Sequence, residues 1–191
     1  QAIQTATQHL REKGKPVHVL DIASGHGRYV LDALAAEALP ESVRLRDYSP
    51  INVAAGQALI AERGLQEVAT FDEVNAYERA NYQNLSPRPT LGIVSGLHEL
   101  FPDNDLILQS LYGFGDAIEP GGYLIYTGQP WHPQLEMIAR CLSSHREGQD
   151  WVMRRRSQQE MDQLVEKAGF EKVRQWIDND GIFTVSLAVK K

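Results

Sequence analysis

The chain has 191 residues, 42% of them hydrophobic, enough for one sizeable core, and it suits a single domain over 1–191. A net charge of −6 and a pI near 5.5 argue against a broad electrostatic grip on a nucleic-acid backbone. A single cysteine, Cys141, excludes an internal disulfide and a cysteine-built metal site, and no run approaches the ~20 apolar residues of a membrane helix.

The elements alternate along the chain. Ala2 to Glu12 reads as a helix ending at Gly14, and Val17–Ile22 as a buried strand. Arg28–Ala38 is helical, with Val30, Leu31, Leu34 and Ala35 on one stripe. Ser42–Arg46 alternates as a strand and runs into Asp47-Tyr48-Ser49-Pro50, where Ser49 can cap a helix over Ile51–Arg63 and Pro50 suits its first turn. Glu67–Phe71 is a short strand, followed by Asn75-Ala76-Tyr77 and a weak helix. Leu91–Ser95 is a fourth strand, Asn104–Ile118 a helix and Gly122–Thr127 a fifth strand. Pro133–Leu142 is a short amphipathic helix and Ser143–Asp150 a polar connection. Ser157-Gln-Gln-Glu160 is a capping box opening a helix that ends at Gly169. Lys172–Ile177 and Ile182–Val189 pair as a hairpin around Asn179-Asp180-Gly181.

The most informative stretch is Val17 to Arg28: a buried strand, the acid Asp21, a glycine-punctuated turn and a helix start. Glycine lets the backbone turn sharply and approach a ligand with no Cβ in the way, so this layout makes a small-molecule cradle in an open α/β sheet. A dinucleotide site requires G-x-G-x-x-G, and counted from Gly25 its last position is Val30. A fixed carboxylate is also a poor neighbour for pyrophosphate and a good one for a cationic amino group.

Asp21-Ile-Ala23-Ser-Gly25-His-Gly27 resembles motif I, D-x-G-x-G-x-G, of the class I S-adenosylmethionine (SAM) methyltransferases, with Ala23 in place of the first glycine. The order of elements is similar to that family as well. The resemblance implies an α/β, Rossmann-like fold: a seven-stranded, mostly parallel sheet with a C-terminal antiparallel hairpin and helices on both faces. SAM is the implied cofactor. A narrower resemblance rests on Ser95-Gly-Leu-His-Glu-Leu-Phe-Pro-Asp-Asn104 and Tyr126-Thr-Gly-Gln-Pro-Trp-His-Pro133. It is to bacterial methyltransferases of unassigned substrate found C-terminal to α/β-hydrolase domains. With the start at Gln1, it predicts the C-terminal part of a longer, cytoplasmic protein with such a domain upstream.

The cofactor-binding set implied is Asp21, Ala23, Gly25, Gly27, Asp47, Tyr48, Asn75, Ala76, Ser95 and Gly96. Asp47 ends the second strand, where a carboxylate can take both ribose hydroxyls; the alternative is a helix cap. Asn75 stands where the family places an adenine acceptor, Asp72 is its rival, and Ala76 supplies a neighbouring N–H. Ser95 and Gly96 end the fourth strand, beside the sulfonium. The family's Asp/Asn-Pro-Pro-Tyr/Phe of base and amide methylation does not occur there.

His98 and Glu99 form the candidate acid/base couple, against the alternative of packed residues at a strand end. Gln129, Trp131, His132 and Arg154, the last within the run Arg154–Arg156, are the candidate substrate residues; a rigid packed loop and a solvated basic face are the alternatives. No metal is expected, since His9, His18, His26, His98, His132 and His145 lack ligand-like spacing. The predicted function is methyl transfer from SAM to O or N of a small-molecule acceptor, a class that includes lipid-related molecules. The alternatives are a SAM-binding module without catalysis and an NAD(P)-dependent oxidoreductase.

Overall fold

Apolar segments with no charged flank facing water set the centre of the molecule. A computed structural model describes residues 1–35, 39–143 and 150–191. Strand β1 (His18–Ile22) buries its last four residues and pairs in parallel with β2 (Ser42–Asp47) on one edge and β4 (Leu91–Val94) on the other. Beyond β2 lies β3 (Ala69–Glu73), and beyond β4 lies β5 (Tyr123–Gly128), both parallel. The hairpin of β6 (Phe170–Ile177) and β7 (Thr184–Lys190) adds to β5 in antiparallel fashion through β7. The order is β3-β2-β1-β4-β5-β7-β6, the expected seven-stranded mixed sheet.

Side chains alternate across each strand, so consecutive residues feed two cores. Val19, Val43, Leu45, Phe71, Ile93 and Ile125 pack with α1 (Ala2–Glu12), α2 (Arg28–Ala35) and α3 (Pro50–Glu62). Leu20, Ile22, Val94, Leu124 and Tyr126 pack with α4 (Asn104–Ala117) and α6 (Gln158–Lys167) on the opposite face. The helix starts follow the sequence: Ser49 Oγ accepts from Asn52 N at the head of α3, and Ser157 Oγ from Glu160 N at the head of α6.

Two departures from the sequence reading have local causes. β3 begins two residues late because the amides of Val68 and Ala69 both bond to Leu65 O, extending the turn that closes α3. The helix after β5 is shorter, α5 (Leu135–Cys141), and buries no residue. The expected helical residues 36–38 and most of the connection Ser143–Asp150, with His145, lie outside the described residues; Ser143 and Asp150 themselves form an antiparallel bridge.

The chain moves outward from β1 to β2 and β3, then returns across β1 to β4. The C-terminal ends of β1 and β4 therefore diverge, and a crevice opens between their loops. The helix after β1 packs closely against the sheet there. Gly27 has φ +71, and a Cβ on it would lie 2.4 Å from Leu45 Cδ1, a fully buried side chain. Gly27→Ala should therefore lower stability by about 2 kcal/mol or more, from left-handed backbone strain and overpacking together. Urea unfolding of the two proteins measures this.

Candidate functional site

A cleft of about 810 Å³ occupies the crevice at the C-terminal edge of the sheet. Ala23 and Gly25 come from the turn after β1, and Asp47, Tyr48, Ser49 and Asn52 from the end of β2 and the head of α3. Asn75, Ala76 and Tyr77 follow β3, and Gly96, Leu97, Leu100 and Phe101 follow β4. Of the ten expected cofactor residues, Ala23, Gly25, Asp47, Tyr48, Asn75, Ala76 and Gly96 line this one cleft.

Asp47 is its polar hub. Oδ2 accepts the Gly25 N–H at 2.9 Å, while Oδ1 accepts the Ser49 N–H at 2.9 Å and Asn52 Nδ2 at 3.0 Å. A carboxylate offers about four acceptor positions, so these bonds orient the group and leave one on Oδ2 for a donor in the cleft. Helix capping and ligand recognition are thus compatible roles for this side chain. Gly25 has φ +57, and a Cβ on it would meet nothing within 4 Å; the same is true of Gly96, at φ +72. Both glycines open onto free space. Ala23 holds φ 51, a conformation that costs an alanine roughly 1–2 kcal/mol, so the turn keeps the family geometry without the first glycine.

Asn75 braces its own loop: its Oδ1 accepts the Tyr77 N–H at 3.0 Å and its Nδ2 donates to Glu78 Oε1 at 3.2 Å. Asp72, the rival acid, is exposed on β3 and does not line the cleft. The loop wall is apolar and aromatic, with the Tyr77 and Phe101 rings 4.8 Å apart, edge to face.

Other expected residues are placed elsewhere. Asp21 is fully buried and does not line the cleft; Tyr29 donates to its Oδ1 at 2.7 Å, and its Oδ2 has no hydrogen-bond partner among the described residues. Burial pushes this carboxyl up to about 7, against the pull of Tyr29 and Ser24. Gly27 packs on Leu45, and its N–H is taken by Ser24 O, so it serves the turn and not the cleft. Ser95 is half-buried beside the cleft without lining it.

The acid/base couple is corrected. His98 is 3% exposed, its Nε2 lies 2.8 Å from Ser110 Oγ on α4, and burial, with the Arg156 charge nearby, pulls its pKa down to about 3. Such a ring is a packed core histidine that does not line the cleft. Glu99 is also buried, with Oε1 accepting from Thr127 Oγ1 at 3.1 Å, and burial pushes its carboxyl above the ordinary range. The turn after β4 directs both inward.

The substrate set does not converge on the cleft either. Gln129 is buried and, with Arg154, Arg156, His98 and Glu99, borders a separate void of about 10 Å³, room for one water at most. Trp131 is half-exposed, and His132 Nδ1 accepts from Gln134 N. Arg154 and Arg156 spend their guanidinium groups on the protein: Arg154 on Pro102 O, Asn104 and Glu160, and Arg156 on Asn104, His98 O and Phe101 O. Arg155 is exposed.

Sequence reasoning passed over Asn52, Tyr77, Leu97, Leu100 and Phe101 as lining residues. Asn52 carried a signal, being three residues past the cap Ser49 and so on the same face of the helix as that cap. The apolar run before Asp103, whose side chain caps α4 by accepting the Asp105 N–H, carried another.

A family model described as "Putative methyltransferase" matches residues 1–190. The curated "Uncharacterized protein YnbC" of Escherichia coli K12 is 58% identical over 189 residues, 99% of this chain and 32% of that protein. The chain thus spans about a third of the length of this curated relative. Among solved structures, magnesium protoporphyrin IX methyltransferase of Synechocystis with bound SAH superposes with a TM-score of 0.72 at 15% identity, over 99% of this chain and 81% of that one. A SAM-dependent methyltransferase of Clostridium acetobutylicum gives 0.72 at 10% identity, over 99% and 90%. At these identities the two structures attest the fold. Among the described residues no helix is long and apolar enough to cross a membrane, and no group of three or more His, Cys, Asp or Glu could hold a metal ion.

The buried His98 predicts a pH effect. The unfolded chain takes up a proton near 6.5, whereas the folded ring resists protonation until about pH 3. Its contribution to stability is therefore intact above 6.5 and is lost as pH falls below it, at up to about 1.4 kcal/mol per pH unit. Asp21 acts with the opposite sign, since its folded value lies above the unfolded one and its cost shrinks as pH falls from about 7 to 3.8. In urea titrations across this range, His98→Gln should flatten the acid loss and Asp21→Asn should steepen it.

Proposed function

The chain belongs to the family described as "Putative methyltransferase", and from that premise we propose that the cleft binds SAM and that methyl is transferred to O or N of a small-molecule acceptor. One observation carries the reading. A carboxylate at the end of β2 is held by three donors with an acceptor position to spare, and it faces a glycine turn whose Cβ direction is open. This set fits the group: Asp47 suits the ribose hydroxyls, Asn75 and Ala76 the adenine edge, and Ala23, Gly25 and Gly96 the close backbone approach of the amino-acid arm.

When bound, the cofactor supplies an electrophilic methyl group on a positively charged sulfur. The protein's own contribution is alignment and exclusion of water. Tyr77, Leu97, Leu100 and Phe101 give the cleft a low-dielectric wall, and in such surroundings a displacement that neutralises charge is favoured. With His98 in the core, proton removal falls to the acceptor's own acidity or to water. An acceptor already ionised at neutral pH, a carboxylic acid, is the class that fits. The hydrolase-linked setting of the narrower resemblance adds weight to ester or lipid chemistry.

Calorimetry with SAM and NADH in separate titrations should give binding of SAM alone, and NADH binding in its place would defeat the reading. Conversion of SAM to S-adenosylhomocysteine (SAH) by a cell extract supplemented with the protein distinguishes an enzyme from a binding module. Asp47→Ala should weaken SAM by about 1.5–3 kcal/mol. Gly25→Ala, which places a methyl group in open cleft space, should cost about 1.4 kcal/mol or more in SAM affinity, a tenfold loss, while the variant still folds. Unchanged affinity in either variant would move the site elsewhere.

A further inference from the structure

Three side chains of the cleft wall, Leu97, Leu100 and Phe101, sit on residues 95–103 between β4 and α4. This segment has little structure of its own, a single 3-10 turn over His98–Leu100 in which the Leu100 N–H bonds to Leu97 O at 3.1 Å. Left to itself, such a loop would sample many positions.

Thr127 on β5 takes the Gly96 N–H and donates to Glu99 Oε1, and the carbonyls that follow are held from more than fifty positions downstream. Arg156 is 6% exposed and donates from all three guanidinium nitrogens: Nη1 to His98 O at 2.7 Å, Nη2 to Phe101 O at 2.8 Å and Nε to Asn104 Oδ1 at 2.8 Å. Arg154 completes the hold, its backbone N–H to Glu99 O at 3.1 Å and its Nη1 to Pro102 O at 2.7 Å. Four of the five carbonyls from His98 to Pro102 are thus occupied by two arginines. Glu160 and Asn104 in turn hold the Arg154 guanidinium. A planar fork with fixed donor directions specifies where several carbonyls sit, which a single ammonium cannot do. Neither arginine lines the cleft.

We infer that Arg156, with Arg154, is a positioning residue for the cofactor: it sets the Leu97–Phe101 wall from outside the cleft, so that SAM affinity depends on a segment SAM does not touch. The inference rests on the reading that this cleft holds SAM.

Calorimetric titration with SAH tests it on the wild type, Arg156→Lys and Arg155→Ala, the last changing an exposed neighbour. Arg156→Lys should raise the Kd for SAH by about threefold to thirtyfold, the range for residues that act through others, and Arg155→Ala should leave it unchanged. A purely structural role would lower the melting temperature of Arg156→Lys with its Kd at wild-type level, and that result overturns the inference. Hydrogen exchange of the wild type with and without SAH needs no variant. Exchange should slow at residues 151–157 together with 97–103, and slowing confined to 97–103 overturns the inference even if Arg156→Lys fails to fold. A wild type that binds no SAH at all defeats the cofactor reading instead, and this inference with it.

Discussion

The reversal of strand order beside β1 is the constraint from which the functional end of the molecule follows. β1 is buried on both faces and paired on both edges, so its chain can leave only at the C-terminal end of the sheet. The connections on either side of it then run in opposite senses, to β2 and α3 on one side and to α4 on the other. A crevice results whatever the loop sequences are, and the loops decide only what lines it. Asp47 is where that constraint becomes chemistry. Its two oxygens tie the β1 turn, through Gly25, to the head of α3, through Ser49 and Asn52.

Buried polar groups divide this end of the protein into two zones. On the cleft side, Asp47 and Asn75 hold backbone and keep acceptor capacity facing the opening. Behind the wall the polar groups turn inward: Arg156 holds the carbonyls of His98 and Phe101, the His98 ring meets Ser110, and Glu99 accepts from Thr127 through Oε1, its Oε2 having no hydrogen-bond partner among the described residues. An unpaired polar group in that interior costs about 1–3 kcal/mol, which explains why each side chain there meets the protein before it meets a ligand. The arginine run is therefore a device of architecture, and the loop it grips is the route by which architecture reaches the cleft.

Among the described residues no histidine lines the cleft, which is compatible with sulfonium displacement, a reaction that needs alignment more than acid/base work. Asp21 fits the same pattern. As a fully buried carboxyl bonded to Tyr29, it ties the head of α2 to the end of β1 beneath the cleft without lining it.

Element order and the glycine turn were legible in the chain because they are local matters. Strand alternation, helix caps at Ser49 and Ser157, and left-handed turns depend on near neighbours, and each left its mark in the residues. With the family resemblance added, they carry the seven-stranded architecture and a set of ten expected cofactor residues, seven of which line one cleft. The direction of a side chain at a strand end depends instead on what packs behind it. His98 and Glu99 sit one residue past a glycine and a leucine that reach the cleft, yet Ser110 and Thr127, distant in sequence, draw them inward. Arg154 and Arg156 read as a solvated or ligand-binding run because, Glu160 apart, the groups that accept their protons lie about fifty residues upstream. The sequence alone determined the fold and the cradle, through short-range geometry. Only the tertiary structure decided which polar residues face the ligand, because desolvation and long-range hydrogen bonds choose the partner of each buried charge.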